Sequence, residues 1–323
     1  MNKKRIALIG AGGMANAVHY PSLAEFADVE LVGICDLVEE KLHKTADRFH
    51  IEKRFSDYKQ MLEQTAPEAV YVLMPPHHLF DIVIHCLNQK RHVFIEKPPG
   101  VTTYQTRAMA LTAERHGCLT MTGFNRRFIP AMTRAHGIVA ERGPLQQCVS
   151  TFYKHHLNGG MYYHGSIDIL YCDAIHAVDT LRWMAGGEVV KVSSSVRKLY
   201  KEFETCWLAL VEFDSGCVGV LLTNWACGRR VHTFEMHGKG ISAFVNPDPH
   251  GRTDIFADGN DAPLFSFTSN EAAQSDDHHK VYGFFQENRH FVDCLHSSEQ
   301  PLTNFADAVK TMELADMIMK FAM

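Results

Sequence analysis

Lys97 and His176 are the residues of this chain best suited to move a proton or to hold a charged oxygen. Lys97 stands in Glu96-Lys97-Pro98-Pro99 at the end of an apolar run, and the proline after it pushes its backbone extended rather than helical. An ammonium fixed at a strand end can hydrogen-bond a hydroxyl and favour its alkoxide. His176 lies in a helix-like stretch, Ile167–Met184. At about 100° per residue, Asp168, Cys172, Asp173, Asp179 and Thr180 fall within roughly 80° of it, while Leu170, Ala174, Ala177, Val178 and Leu181 fall on the other side. This makes a carboxylate-rich stripe with one imidazole at its middle. Asp173, three residues before, or Asp179, three after, can orient the ring, raise its basicity and fix its tautomer. An imidazole so held can take a proton from a hydroxyl.

A second constellation binds rather than reacts. Gly10-Ala11-Gly12-Gly13-Met14-Ala15 follows the apolar Ile6–Ile9, and Asp36 closes another apolar run 26 residues after Gly10. This is the layout of a dinucleotide site. Gly10 permits the tight strand-to-helix turn, Gly12 lets a pyrophosphate approach the backbone, and Ala15 is small enough for close helix–strand packing. Phosphates would meet unpaired N–H groups at the helix start. The Asp36 carboxylate accepts hydrogen bonds from ribose hydroxyls and repels a 2′-phosphate, which favours NAD over NADP. Asn125-Arg126-Arg127 and Gly228-Arg229-Arg230 can hold a hydroxyl or carboxylate of a polar ligand. The competing reading for some of these arginines is an ordinary surface salt bridge.

The elements that must position these groups are legible. Arg5–Ile9, Glu30–Cys35, Ala69–Leu73, His92–Ile95 and Leu119–Phe124 read as strands, with helices over Val38–Phe49, Leu79–Asn88 and Thr103–His116 between them. Such alternation predicts a doubly wound parallel sheet, with its ligand at the carboxyl ends of the strands. After Pro130–Arg142 (helix), Leu145–Tyr153 (strand) and the His176 helix, the pattern becomes strand after strand from Val189. Thr205–Phe213 and Cys217–Trp225 flank Asp214-Ser215-Gly216, a hairpin signal. Val231–His237, Ile241–Val245 and Asp254–Phe256 continue the sheet, and Phe284–Leu295 and Phe305–Met323 return to helix. The expected architecture is a Rossmann domain over 1–124 and an α+β domain, built on a large open and mostly antiparallel sheet, over 125–323. The last helix, about 305–323, is a candidate to pack back on the first domain. One face of an antiparallel sheet needs cover, so a homodimer or homotetramer is expected.

Bulk properties narrow the class. The 323 residues carry 46% hydrophobic and 21% charged residues and a net charge of −5, values ordinary for a globular protein and too long for one core. Without a basic block, nucleic acid is not an expected partner. No apolar run reaches 18 residues, and strand-like sequence begins within a few residues of Met1, so neither a membrane span nor a signal peptide is expected. Nine scattered cysteines without C-x-x-C read as reduced thiols in a cytoplasmic protein. Twenty histidines lack metal-ligand spacing, so no metal is expected.

Taken together, these residues resemble the glucose–fructose oxidoreductase / inositol dehydrogenase (Gfo/Idh/MocA) family. The likeness runs nearly end to end. It includes the Gly10–Ala15 turn, Asp36, Pro75, Glu96-Lys97-Pro98, Gly123-Phe124-Asn125-Arg126-Arg127-Phe128, His176-x-x-Asp179-x-x-Arg182-Trp183, and the tail from His290-Phe291 to Pro301. The resemblance implies NAD(P)-dependent oxidation or reduction of sugars, polyols or related alcohols. It implies a cofactor site of Gly10, Gly12, Gly13, Met14, Asp36, Pro75, Glu96 and Lys97. It also implies catalysis by Lys97 and His176, with Asp173 as the orienting acid and Asn125, Arg126 and Asp179 toward the substrate.

Three departures stand out. Many relatives read D-x-G-x-H where this chain has Cys172-Asp173-Ala174-Ile175-His176; Pro76 and Leu79 replace an Asn and a His; Pro99 replaces an aliphatic residue. The dehydrogenase is the leading expectation; the alternatives are an NAD-cycling glycosidase, which the resemblance also implies, and a non-catalytic NAD-binding regulator, motivated by Cys172.

Overall fold

The protein's structure, a computed structural model, describes residues 3–320. The last three residues of the predicted helix Phe305–Met323 lie outside that range. The chain divides into two compact units: residues 1–124 with 284–309, and residues 125–283 with 310–323.

The first unit is a six-stranded parallel sheet in the order β3-β2-β1-β4-β5-β6. Its strands are β1 (Lys4–Ile9), β2 (Val29–Cys35), β3 (Arg54–Phe55), β4 (Ala69–Val72), β5 (His92–Glu96) and β6 (Thr120–Gly123). The crossovers are α1 (Tyr20–Ala24, entered through a π-helical turn over Ala15–His19), α2 (Glu39–Arg48), α3 (Tyr58–Thr65), α4 (Pro76–Asn88) and α5 (Thr103–His116). Strands covered on both faces read as unbroken apolar runs; accordingly Ile6, Ala7, Leu8, Val70, Tyr71, Val93, Phe94 and Ile95 are fully buried. α5 starts at Thr102, whose hydroxyl accepts from the Gln105 N–H, and stops at Gly117 in the left-handed region (φ 64°). β3 and α3 escape the sequence reading because two residues of strand and one short helix carry little periodic signal.

The second unit carries α6 (Pro130–Ala140), β7 (Gln147–His155), α7 (Ile175–Ala185), β8 (Val189–Arg197), β9 (Cys206–Phe213), β10 (Val218–Asn224) and β11 (Ala226–Gly238). β12 (Ile241–Val245), β13 (Arg252–Ala257), β14 (Phe265–Thr268), α8 (Ser269–Ala273) and α9 (His278–Val281) follow. The eight strands run β14-β13-β12-β11-β7-β10-β9-β8. All neighbours are antiparallel except β7 and β10. The predicted hairpin forms between β9 and β10, with Gly216 at φ 84°. One face of the sheet is covered by α7: a Cβ on Gly219 would stand 3.0 Å from the Leu181 side chain, so glycine there permits the close approach. Alternation along β9 leaves Leu208 and Leu210 on the opposite, open face.

α10 (Phe284–Ser297) and α11 (Phe305–Lys320) complete the chain. The sequence places residues 125–323 in the second domain, with the last helix, about 305–323, as a candidate to pack back on the first. Residues 284–309 instead group with the first unit. The apolar face of α10 drives this: Phe291 is fully buried beside Tyr71 and Phe94 of the parallel sheet.

Candidate active site

The glycine turn leaves β1 at its carboxyl end. Gly10 sits at φ 108°, and a Cβ there would lie 2.5 Å from the Leu73 carbonyl oxygen, so no other residue fits. Gly12 and Gly13 face open space. They line a cleft of about 300 Å³ with Ala11, Asn16, Lys41, Lys44, Thr45 and Arg48. Ala15 is buried, as close helix–strand packing requires. The Asp36 carboxylate accepts from the N–H groups of Ala11 (2.7 Å) and Val38 (2.8 Å). These bonds fix it at the turn while leaving lone pairs for further donors. Open glycine backbone, a fixed carboxylate and three cations on α2 fit a dinucleotide. Pro75 opens α4, and Met14 is half exposed at the turn.

At the end of β5, Glu96 is gripped from both sides. One oxygen meets His19 Nε2 at 2.8 Å; the other accepts from the Lys97 backbone N–H at 3.1 Å. His19 Nδ1 lies 3.3 Å from the Asn288 amide oxygen. Burial pushes the Glu96 carboxyl up, but the hydrogen bond and charge of His19, with Lys97, hold it below the usual carboxylate range. Lys97 is joined to Pro98 by a cis peptide bond and is partly buried. His19, Glu96 and Glu287 bring three ligand atoms within 4.8 Å of one another, a grouping close enough to hold a cation. In the structure, His19 and Glu96 bond each other directly.

In the second unit, the His176 helix differs from the even wheel of the sequence reading. Leu170–Ala174 form a π-helical turn before α7. Hydrogen bonds there span one residue more, so residues upstream of Ile175 are rotated relative to His176. His176 and Asp179 are buried, at 4% and 1% exposed, while Asp168 and Asp173 are partly buried. Each acid has its own partner. Asp173 accepts from the Tyr162 hydroxyl at 2.9 Å and pairs with Lys154. Asp168 accepts from the Leu170 N–H, and burial pushes its carboxyl up to about 6. Asp179 takes a bidentate grip from Arg127, at 2.8 and 2.5 Å, and a third bond from the Thr311 hydroxyl. Asp179, expected toward a ligand, thus holds Arg127 and Thr311 in the structure. Arg127, offered by the sequence as a ligand or surface group, is the buried counter-charge.

Asn125 is committed in the same way: its amide nitrogen donates to the Tyr282 carbonyl and its oxygen accepts from Arg126. The sequence reading overlooked Lys154, His232, Tyr162 and Tyr282. Strand parity could have found His232, since Phe234 and Met236, also buried, share its inward side.

The features assembled in the two units are those of an NAD-binding oxidoreductase. Residues 4–124 match the oxidoreductase family with an NAD-binding Rossmann fold, and residues 146–243 match the GFO/IDH/MocA C-terminal domain. The scyllo-inositol 2-dehydrogenase (NAD(+)) of Bacillus subtilis (strain 168) is 24% identical over 96% of this chain and 91% of its own length. The myo-inositol 2-dehydrogenase of Thermotoga maritima is 23% identical over 94% and 91%. A dehydrogenase from Chromobacterium violaceum superposes with a TM-score of 0.89 at 18% identity, over 100% of this chain and 96% of that one. The chain belongs to the Gfo/Idh/MocA family of NAD-binding oxidoreductases.

Proposed function

We propose that this chain is an NAD-dependent dehydrogenase that oxidises a secondary hydroxyl of a sugar-like or polyol substrate. The observation that carries the reading is the pairing, on one parallel sheet, of a cleft that fits a dinucleotide after β1 with a lysine at the carboxyl end of β5, two strands along. NAD, when bound, supplies the hydride acceptor. Lys97 hydrogen-bonds the reacting oxygen and stabilises its developing charge, and His176 takes the hydroxyl proton. Asp173 acts within a Tyr162–Asp173–Lys154 network three residues upstream of His176, rather than as an isolated orienting acid. Wild-type protein with NAD is expected to form NADH on members of a polyol and sugar panel. Tight NAD binding with no NADH on any member would count against the reading and favour a regulator. Sugar release without net NADH would favour a cofactor-cycling glycosidase.

The open face of the second-unit sheet supports self-association. Leu208 is 39% and Leu210 46% exposed, beside Ser193, Ser195, Val220 and Leu222 in a shallow groove of about 430 Å³. We propose that a second copy covers it. Light scattering at micromolar concentration is expected to give at least twice the chain mass, and Leu210→Lys is expected to lower it. A wild-type monomer would remove the proposal. Eight of the nine cysteines are buried and none is in a disulfide, including Cys148 and Cys217 with sulfurs 3.9 Å apart. This supports a reducing, cytoplasmic setting. Among the described residues, no helix is long and apolar enough to cross a membrane.

A further inference from the structure

The inward face of the second-unit sheet gathers three cations around aromatic rings. Phe152 and His232 are direct cross-strand partners on β7 and β11, and their rings stack at 4.0 Å and 9°. Lys154 Nζ lies 5.1 Å from the Phe152 ring centre and 5.7 Å from that of Trp225. The Arg230 guanidinium is 5.7 Å from the Phe152 ring and donates to the Tyr282 hydroxyl at 2.6 Å. The Arg126 guanidinium lies 4.8 Å over the ring of the same Tyr282.

Two of these cations have acids. Lys154 pairs with Asp173, and Arg230 with Asp248 at 2.6 Å. Arg126 is different. It is 8% exposed, its Nη1 donates to the neutral Asn125 amide oxygen, and its buried Nε has no hydrogen-bond partner. Among the described residues, no carboxylate pairs with it. Guanidinium does not give up its proton, and a buried charge without a counter-ion is costly. His232, 1% exposed, has both ring nitrogens without a partner. Burial, reinforced by Arg126, Arg230 and Lys154, holds that imidazole neutral, well below its usual range. A neutral ring offers one donor and one acceptor. The cluster is therefore short of one anion with lone pairs to share. Its approach is open at the outer end, where the Lys154 and Arg230 side chains are 27% and 39% exposed.

We propose that Arg126, with Lys154 and Arg230, is the receptor for a carboxylate carried by the substrate, so that the preferred substrates are sugar acids rather than neutral polyols. Three cations set against Asp173 and Asp248 leave one unmatched positive charge, which suits a carboxylate better than a phosphate dianion. The planar fork of arginine matches carboxylate geometry. The receptor joins the reaction site through Lys154 and Asp173, the latter three residues before His176. The inference rests on the dehydrogenase reading for the chemistry, but not for binding.

The test is calorimetric binding to NADH-saturated protein of a panel of sugars and polyols, each paired with its carboxylate and its phosphate ester. NADH formation from NAD is measured on the same panel. At least one acid should bind tenfold or more tighter than its neutral partner, with an advantage that shrinks as salt rises. Arg126→Gln and the more exposed Arg230→Gln should each erase most of that advantage, read as the ratio of acid to neutral-partner affinity within each variant. Circular dichroism of both variants shows whether they fold. The proposal is overturned if no acid outbinds its neutral partner, if phosphate esters outbind the carboxylates, or if a folded Arg230→Gln keeps the full preference. Acids that bind in this arginine-dependent way without forming NADH would instead remove the dehydrogenase reading and leave the receptor standing.

Discussion

Lys97→Met and His176→Asn should each lower kcat for hydroxyl oxidation by roughly 10²–10⁴-fold, the range for loss of a positioned acid–base group. Affinity for NAD should fall far less than the rate, because the glycine turn and Asp36, which fit the pyrophosphate and ribose, follow β1 and β2 and are unchanged in both variants. The double variant should be barely worse than the worse single one, since groups that act on one proton transfer fail as a unit. His19→Ala should reproduce part of the Lys97 loss, because His19 is the partner that holds the Glu96 carboxylate while its other oxygen accepts from Lys97 N–H. Steady-state rates with NAD at saturation, beside fluorescence titration of NADH, separate these effects. A variant that loses NAD affinity and rate together would place the fault in cofactor binding instead.

Asp179→Ala should cost about 3–5 kcal/mol of stability, the loss typical of a buried pair broken on one side. Arg127 and Asp179 have side chains only 6% and 1% exposed, and the pair is joined through two hydrogen bonds. Removing the carboxylate takes two charge-assisted hydrogen bonds from the buried guanidinium and the acceptor from Thr311, through which Arg182 reaches the same network. The double variant Arg127→Met, Asp179→Leu should recover most of the loss, because no unmatched charge then remains buried. Urea unfolding followed by tryptophan fluorescence reads this directly. An Asp179→Ala midpoint close to wild type would mean that the pair is dispensable.

Much of the first unit is legible in the sequence because parallel strands buried on both faces must be apolar throughout. The runs Ile6–Ile9, Ala69–Val72 and Val93–Ile95 announce themselves, and Gly10 is demanded by a carbonyl only 2.5 Å from where its Cβ would be. In the second unit the run of strands and the β9–β10 hairpin are legible from alternation and the Asp214-Ser215-Gly216 turn, whereas the insertion of β7 between β10 and β11 is not. The partners of the polar groups were beyond reach. Asp173 looks like an orienting acid on a regular helix, but a π turn rotates it, and Lys154, 19 residues away, takes it up. Asp179 reads as an acid for His176 or a ligand, and its partners Arg127 and Thr311 are 52 and 132 residues distant. Local periodicity places a side chain on a face; which charge comes to meet that face is a long-range outcome of the fold. Cys172 is buried, and its neighbour Asp173 is held by Tyr162 and Lys154.

The most direct test of the account is single-turnover transfer of deuterium from a substrate labelled at the carbinol carbon to the nicotinamide ring. The account predicts label in the NADH formed by the wild-type protein. It also predicts transfer at least a hundredfold slower in Lys97→Met and in His176→Asn. Label transfer at the wild-type rate in both variants, or turnover that leaves NADH unlabelled, would contradict it.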